Sequence, residues 1–185
     1  MEIMPHLELG LCNGWLLAAI LYLVFGALLL IFPRPVVVRL YERPRRTGST
    51  AIRRLLGVPW ILAWLALVIL TPLARGLVLA GGLALYGAGL AGFVLALLNY
   101  AATPVDQPVT SGLYRISRHP QQFMLSVASL GISLAIGSWL ALALMAVGVL
   151  GGHAKVIEEE RACLEKYGAS YREYMERVPR YFLFF

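Results

Sequence analysis

Four long stretches of this chain carry no charged side chain: residues 9–33, 55–74, 76–105 and 120–152. At ~1.5 Å of rise per residue, each of the first three is long enough to cross a hydrocarbon core of ~30 Å as one helix. The fourth, of thirty-three residues, is too long for one upright span and short for two. Gly137-Ser138, followed by Trp139, reads as a turn in its middle and predicts a hairpin of two short helices. The pattern therefore predicts an all-α integral membrane protein of one domain, residues 1–185, with five spans near 11–32, 55–73, 77–98, 121–136 and 139–153. The polar remainder, 99–120 and 154–185, is expected at one membrane edge. Gly168 is a plausible helix C-cap there, with a second short helix stopping before Pro179. The terminal YFLFF is expected to dip back into the interface.

Charge placement decides between the hairpin and a single span. Seven arginines lie in 34–54, two at 115 and 118, and six Lys or Arg follow His153. With a hairpin, fifteen of the sixteen basic residues fall on one side; with a single span, the six tail charges move to the other. Basic residues gather on the cytoplasmic side, so the pattern predicts an outside N-terminus and a cytoplasmic C-terminus in an inner or plasma membrane. Composition agrees: 59% hydrophobic residues and a mean hydropathy of +0.74 exclude an ordinary soluble domain. The first apolar stretch follows two glutamates and no Lys or Arg, the wrong charge for a cleavable signal. A net charge of +6 could suggest nucleic acid, but its segregation at membrane edges argues for none. Cys12 and Cys163 flank the first and last spans, so neither a disulfide nor a metal site is expected.

The most unusual polar segment is Ser111–Gln122, SGLYRISRHPQQ, which places Arg115, Arg118 and His119 just before Pro120 at the mouth of span four. By itself it serves as a topogenic flank or an anion site, and the flank is the commoner case. A hairpin brings it beside the end of span five, where Glu158-Glu159-Glu160 follow, with Tyr171, Tyr174, Arg177 and Arg180 beyond. The glutamates read equally as a solvated helix face. The glycines of the third span (81, 82, 87, 89 and 92) read first as helix-packing positions and second as ligand contacts.

The ordered set GLYRISRHP, hairpin, EEE, KYG, Tyr171, Tyr174 and RVPR resembles the C-terminal half of the isoprenylcysteine carboxyl methyltransferase and phospholipid N-methyltransferase superfamily over about residues 100–180. The resemblance implies S-adenosyl-L-methionine-dependent methyl transfer to a lipidic or small hydrophobic acceptor at the cytoplasmic membrane edge. It implies cofactor binding by Arg118, His119, Glu159, Glu160 and Tyr114, with Gly87 and Gly89 similar to a Gly-x-Gly element. The resemblance also implies Arg180, near the acceptor, and Tyr174 as the catalytic residues. Leu113, Gln122 and Met124 depart from the family pattern, and Gln122 does so at the border of the expected acceptor tunnel.

The chemistry suits those roles. Carboxylates match the donor's ammonium or ribose hydroxyls, and Arg or His matches its carboxylate. Displacement at a sulfonium is already activated, so positioning and desolvation dominate, and a base is needed only when the acceptor must lose a proton. Residues advance ~100° each around a helix, so the three glutamates face three ways. Glu159 and Glu160 are expected to matter for the cofactor and Glu158 to be silent. Two other readings stay open: a sterol-reductase-like oxidoreductase using a nicotinamide cofactor, and a non-catalytic membrane scaffold.

Overall fold

The computed structural model describes residues 1–3, 5–42 and 50–182, with the backbone alone for 50–57. Three of the arginines in the loop after the first apolar stretch (43, 45 and 46), and the last three residues of the chain, lie outside the described residues. Seven α-helices follow in order among the described residues: α1 (Trp15–Ile31), α2 (Arg34–Tyr41), α3 (Thr50–Leu70), α4 (Gly76–Ala101), α5 (Pro120–Ala135), α6 (Trp139–Tyr167) and α7 (Ala169–Arg177). A 3-10 turn, Gly112–Arg115, precedes α5.

The helix starts and stops follow local chemistry. Pro120 occupies the first turn of α5, where its missing N–H costs nothing. Gly137 sits at φ +65°, a left-handed conformation that closes the turn after α5 and that a side chain would strain. Ser138 then caps α6, its hydroxyl accepting from Ala141 N at 3.1 Å. The hairpin expected from Gly137-Ser138 is therefore present. α6 runs on without a break from the apolar stretch into the charged tail as far as Gly168, and α7 stops at Arg177 as expected. The arginine-rich loop contains one element that hydropathy did not predict: the short helix α2, started by Pro35.

Among the described residues two helices, α4 and α6, are long and apolar enough to cross a membrane, and α1 and the Val58–Leu70 part of α3 are shorter apolar helices. Only 28% and 17% of the apolar windows of α4 and α6 are buried, whereas the core helix of a soluble protein would be mostly covered. Leu23, Leu30 and Leu77 point outward at 72%, 89% and 91% exposure, as side chains solvated by lipid do.

The chain has two ends. At one, the Glu2 backbone exchanges hydrogen bonds with Gly137 and Trp139, and Asn13 pairs with Pro72. At the other, Arg39 donates to the Thr103, Pro104 and Gln107 carbonyls, and Lys166 reaches Glu42 at 3.0 Å. Arg34, Arg39, Arg115, Arg118 and the tail share that second end, and Arg75 lies at the first.

α4 and α5 run antiparallel at very close range. A Cβ on Gly82, Gly89 or Gly131 would overlap the backbone of Ala135, Ala128 or Tyr86 respectively. The small residues thus let two backbones touch, the close approach that drives helix association in lipid. The apolar core adds Leu17, Leu21, Val68, Phe93, Leu97, Ile132 and Leu144, from five helices.

Candidate active site

The site lies at the second end, where the hairpin opens. Ser117, fully buried, links the segments that flank it: its hydroxyl donates to the Arg180 carbonyl at 3.0 Å and accepts from His119 N at 3.2 Å. Arg118 N donates to the Pro179 carbonyl at 3.0 Å. The segment before α5 is thereby stitched to the segment after α7, and Arg118, His119 and Arg180 converge on α6.

Glu160 is the centre of that convergence. Its side chain is 4% exposed, and three cations or potential cations surround it. Arg180 Nη2 donates to Oε2 at 2.7 Å and Nε contacts both oxygens at 3.1 Å. Arg118 Nε lies 3.1 Å from Oε1 without the alignment of a hydrogen bond, and Arg118 Nη1 donates to the Met175 carbonyl at 3.1 Å. His119 Nε2 lies 3.3 Å from Oε1. Burial pushes the Glu160 carboxyl up, but the hydrogen bonds from His119 and Arg180 and the charge of Arg118 outweigh it and hold the pKa at about 2.

The three glutamates face three ways. Glu160 is buried, Glu158 is half-buried, and the Glu159 side chain is 52% exposed with Oε2 3.8 Å from His119 Nδ1. Of the residues expected at the cofactor, Arg118, His119, Glu159 and Glu160 are brought together, and Arg180 joins them. Tyr114 and Tyr174 lie beneath, both buried: the Tyr174 hydroxyl donates to the Tyr114 carbonyl at 2.7 Å and props α7 against the 3-10 turn. Burial pushes the Tyr174 hydroxyl far above its usual range, with Arg118 opposing, so it stays protonated. Gly87 and Gly89 are not brought to this cluster. Gly89 lies in the α4–α5 seam, and Gly87 is exposed on the outer side of α4 with nothing near it.

Sequence reasoning passed over Ser117, His153 and Tyr181. His153 Nδ1 lies 3.1 Å from the Tyr181 hydroxyl, and the Tyr181 ring stands 6.4 Å from that of His119. A signal existed: His153 precedes Glu160 by seven residues, two helical turns on one face. Next to this end, within the apolar layer, α1, α3, α4, α5 and α6 line a half-open cavity of about 360 Å³. Phe25, Trp60, Trp64 and Met145 wall it, and Gln122, Ser126 and Ser129 form a polar strip along α5.

No curated protein and no solved structure matches the chain. Residues 99–170 match the phospholipid methyltransferase family model, and the resemblance read from the motifs holds over the stretch that supplies Arg118, His119, Glu159 and Glu160.

Proposed function

We propose that this chain is an S-adenosyl-L-methionine-dependent membrane methyltransferase, acting on a lipidic or hydrophobic acceptor at the cytoplasmic edge. On this reading α1, α3, α4, α5 and α6 all span the bilayer, with the N-terminus outside and the C-terminus inside. The observation that carries the function is the meeting of Arg118, His119, Glu159 and Glu160, all inside the family-matched stretch, with Arg180 from beyond it, at the hairpin mouth and beside a cavity in the apolar layer.

The donor set fits the cofactor's amino-acid end. Glu160 is saturated by its own neighbours, so its work is to fix Arg118 and Arg180 in place. Glu159 is the open carboxylate and suits an ammonium. Arg180 spends Nε and Nη2 on Glu160, which leaves the other edge of its fork for a carboxylate. When bound, S-adenosyl-L-methionine supplies an activated methyl group on a sulfonium. The chain's part is to orient that group against the acceptor and exclude water. The apolar cavity offers the acceptor's hydrocarbon a path from the bilayer.

Calorimetry on the purified protein checks the reading. S-adenosylhomocysteine is expected to bind, and a nicotinamide dinucleotide is not. Radiolabelled methyl transfer into lipid extracts then names the acceptor. Binding of the dinucleotide instead would favour a reductase, and binding of neither a scaffold.

A further inference from the structure

His153 and Tyr181 make a titratable pair that the binding of a zwitterionic cofactor does not use. They lie between Gln122 of the cavity wall and His119 of the ionic cluster. Gln122 lines the cavity, and its Nε2 lies 3.5 Å from where a Cβ on Gly152 would stand, one residue before His153. On the other side Tyr181 bridges toward His119, with ring separations of 5.8 Å to His153 and 6.4 Å to His119. The Phe182 ring, 4.6 Å from Phe123, closes this segment over the start of α5. A chain-bearing acceptor lying in the cavity would therefore present its head group at Gln122, His153 and Tyr181 before it reached Arg180.

We infer that His153, held by Tyr181, is the proton acceptor for a head group that must lose a proton to be methylated. The inference rests on the methyltransferase reading above. In the tautomer with Nδ1–H donated to the Tyr181 oxygen, Nε2 is the basic nitrogen. An ammonium head group gives its proton to Nε2. The freed nitrogen lone pair forms the new N–C bond while the methyl–sulfur bond of the sulfonium donor breaks, its electron pair leaving on sulfur as a neutral thioether. The imidazolium is stabilised through Nδ1–H···O to Tyr181. Glu160 and Glu159 from α6 and Arg180 act on the Tyr181 hydroxyl of the pair: burial and the two carboxylates push it up, and Arg180 pulls it down. His119 faces it from the start of α5. A carboxylate acceptor has no proton to lose, and the pair would then serve no purpose in the reaction.

Two readouts test this on the full-length protein. His153→Asn keeps an acceptor or donor toward Tyr181 but removes Nε2. Without cofactor, binding of dodecylamine read by the fluorescence of Trp60 and Trp64 is expected to weaken about fivefold in His153→Asn, with dodecanoate binding unchanged. In methyl transfer to a long-chain amine, the same variant is expected to lose roughly 10²–10⁴-fold at neutral pH and to recover as the pH approaches the amine's own pKa. Tyr181→Phe, a change at a positioning residue, is expected to give the same change of profile with a smaller loss. S-adenosylhomocysteine binding and monodispersity in detergent serve as folding controls and are expected to stay at wild-type values. Parallel pH profiles in wild type and His153→Asn, or transfer to a carboxylate acceptor alone, would overturn the inference while leaving the methyltransferase intact. Failure of the wild type to bind S-adenosylhomocysteine would overturn both.

Discussion

The two faces of α5 solve opposite problems. Toward α4 it presents Ala128, Gly131 and Ala135, and the two backbones meet with almost no side chain between them. Toward α6 its N-terminal end presents Arg118 and His119 to a buried carboxylate. The first face is dry and apolar and depends on shape. The second depends on balanced charge, because an unpaired ion there would carry its full desolvation penalty. The comparison teaches that the seam is a rigid rail. It anchors α5 against α4, and a charged site whose geometry must hold to within about 0.5 Å needs such a support.

The largest effect should come from breaking the charge balance. Glu160→Gln leaves Arg118 and Arg180 without a counter-ion, and Arg118 is itself 4% exposed. A loss of about 3–5 kcal/mol is expected, read as a large drop in thermal stability in detergent, with cofactor binding lost alongside. A full-strength fold in this variant would mean the cluster is not the keystone.

Acid should do the same reversibly. The folded Glu160 carboxyl, at about 2, lies below its ordinary 4.5, so its contribution to stability is complete above about 4.5. It is lost as the pH falls toward about 2 and amounts to about 3 kcal/mol. A pH–stability curve for the wild type should show this fall, and Glu160→Gln should flatten it.

The seam should break by shape alone. Gly131→Leu forces a side chain into the Tyr86 backbone and is expected to cost about 1–3 kcal/mol or more. Gly87→Leu points into open space on the outer side of the same helix pair and should be nearly neutral. Equal melting temperatures for the two variants would remove the rail from the comparison.

The smallest effect separates the two carboxylates. Glu159→Gln should leave stability unchanged, because its side chain is half exposed. S-adenosylhomocysteine affinity should fall by about tenfold, the effect of one charged hydrogen bond. If Glu159→Gln were silent in calorimetry, the ammonium would have to be held elsewhere.

Much of this molecule was legible from hydropathy and charge. The apolar runs, the Gly137-Ser138 turn and the Gly168 cap each rest on one local rule, so the chain could be read piece by piece. The segregation of basic residues to one end followed from the same reading, as did the meeting of Arg118, His119 and the glutamates, since a hairpin joins its two ends whatever its details. The division of labour among the glutamates was only half legible. Helical periodicity shows that consecutive residues face apart, but not which face is covered.

What the tertiary structure alone decided was occupancy. Glu160 is saturated because Arg180 folds back from beyond α7 and Arg118 is drawn in from before α5, contacts across 20 and 42 residues that no local pattern encodes. Gly89 and Gly87 look alike in sequence, yet one sits in the seam and the other faces outward, because only the partner helix gives a glycine its meaning. Tyr174 and Tyr114 turned out to be props, engaged with one another. His153 and Tyr181 became a pair only when the tail crossed the hairpin mouth. The sequence by itself determined where helices run and at which end the charges gather, since hydropathy and helix termini are local. Only the fold decided which charges are already satisfied and which remain open to a ligand, since pairing depends on neighbours distant in the chain.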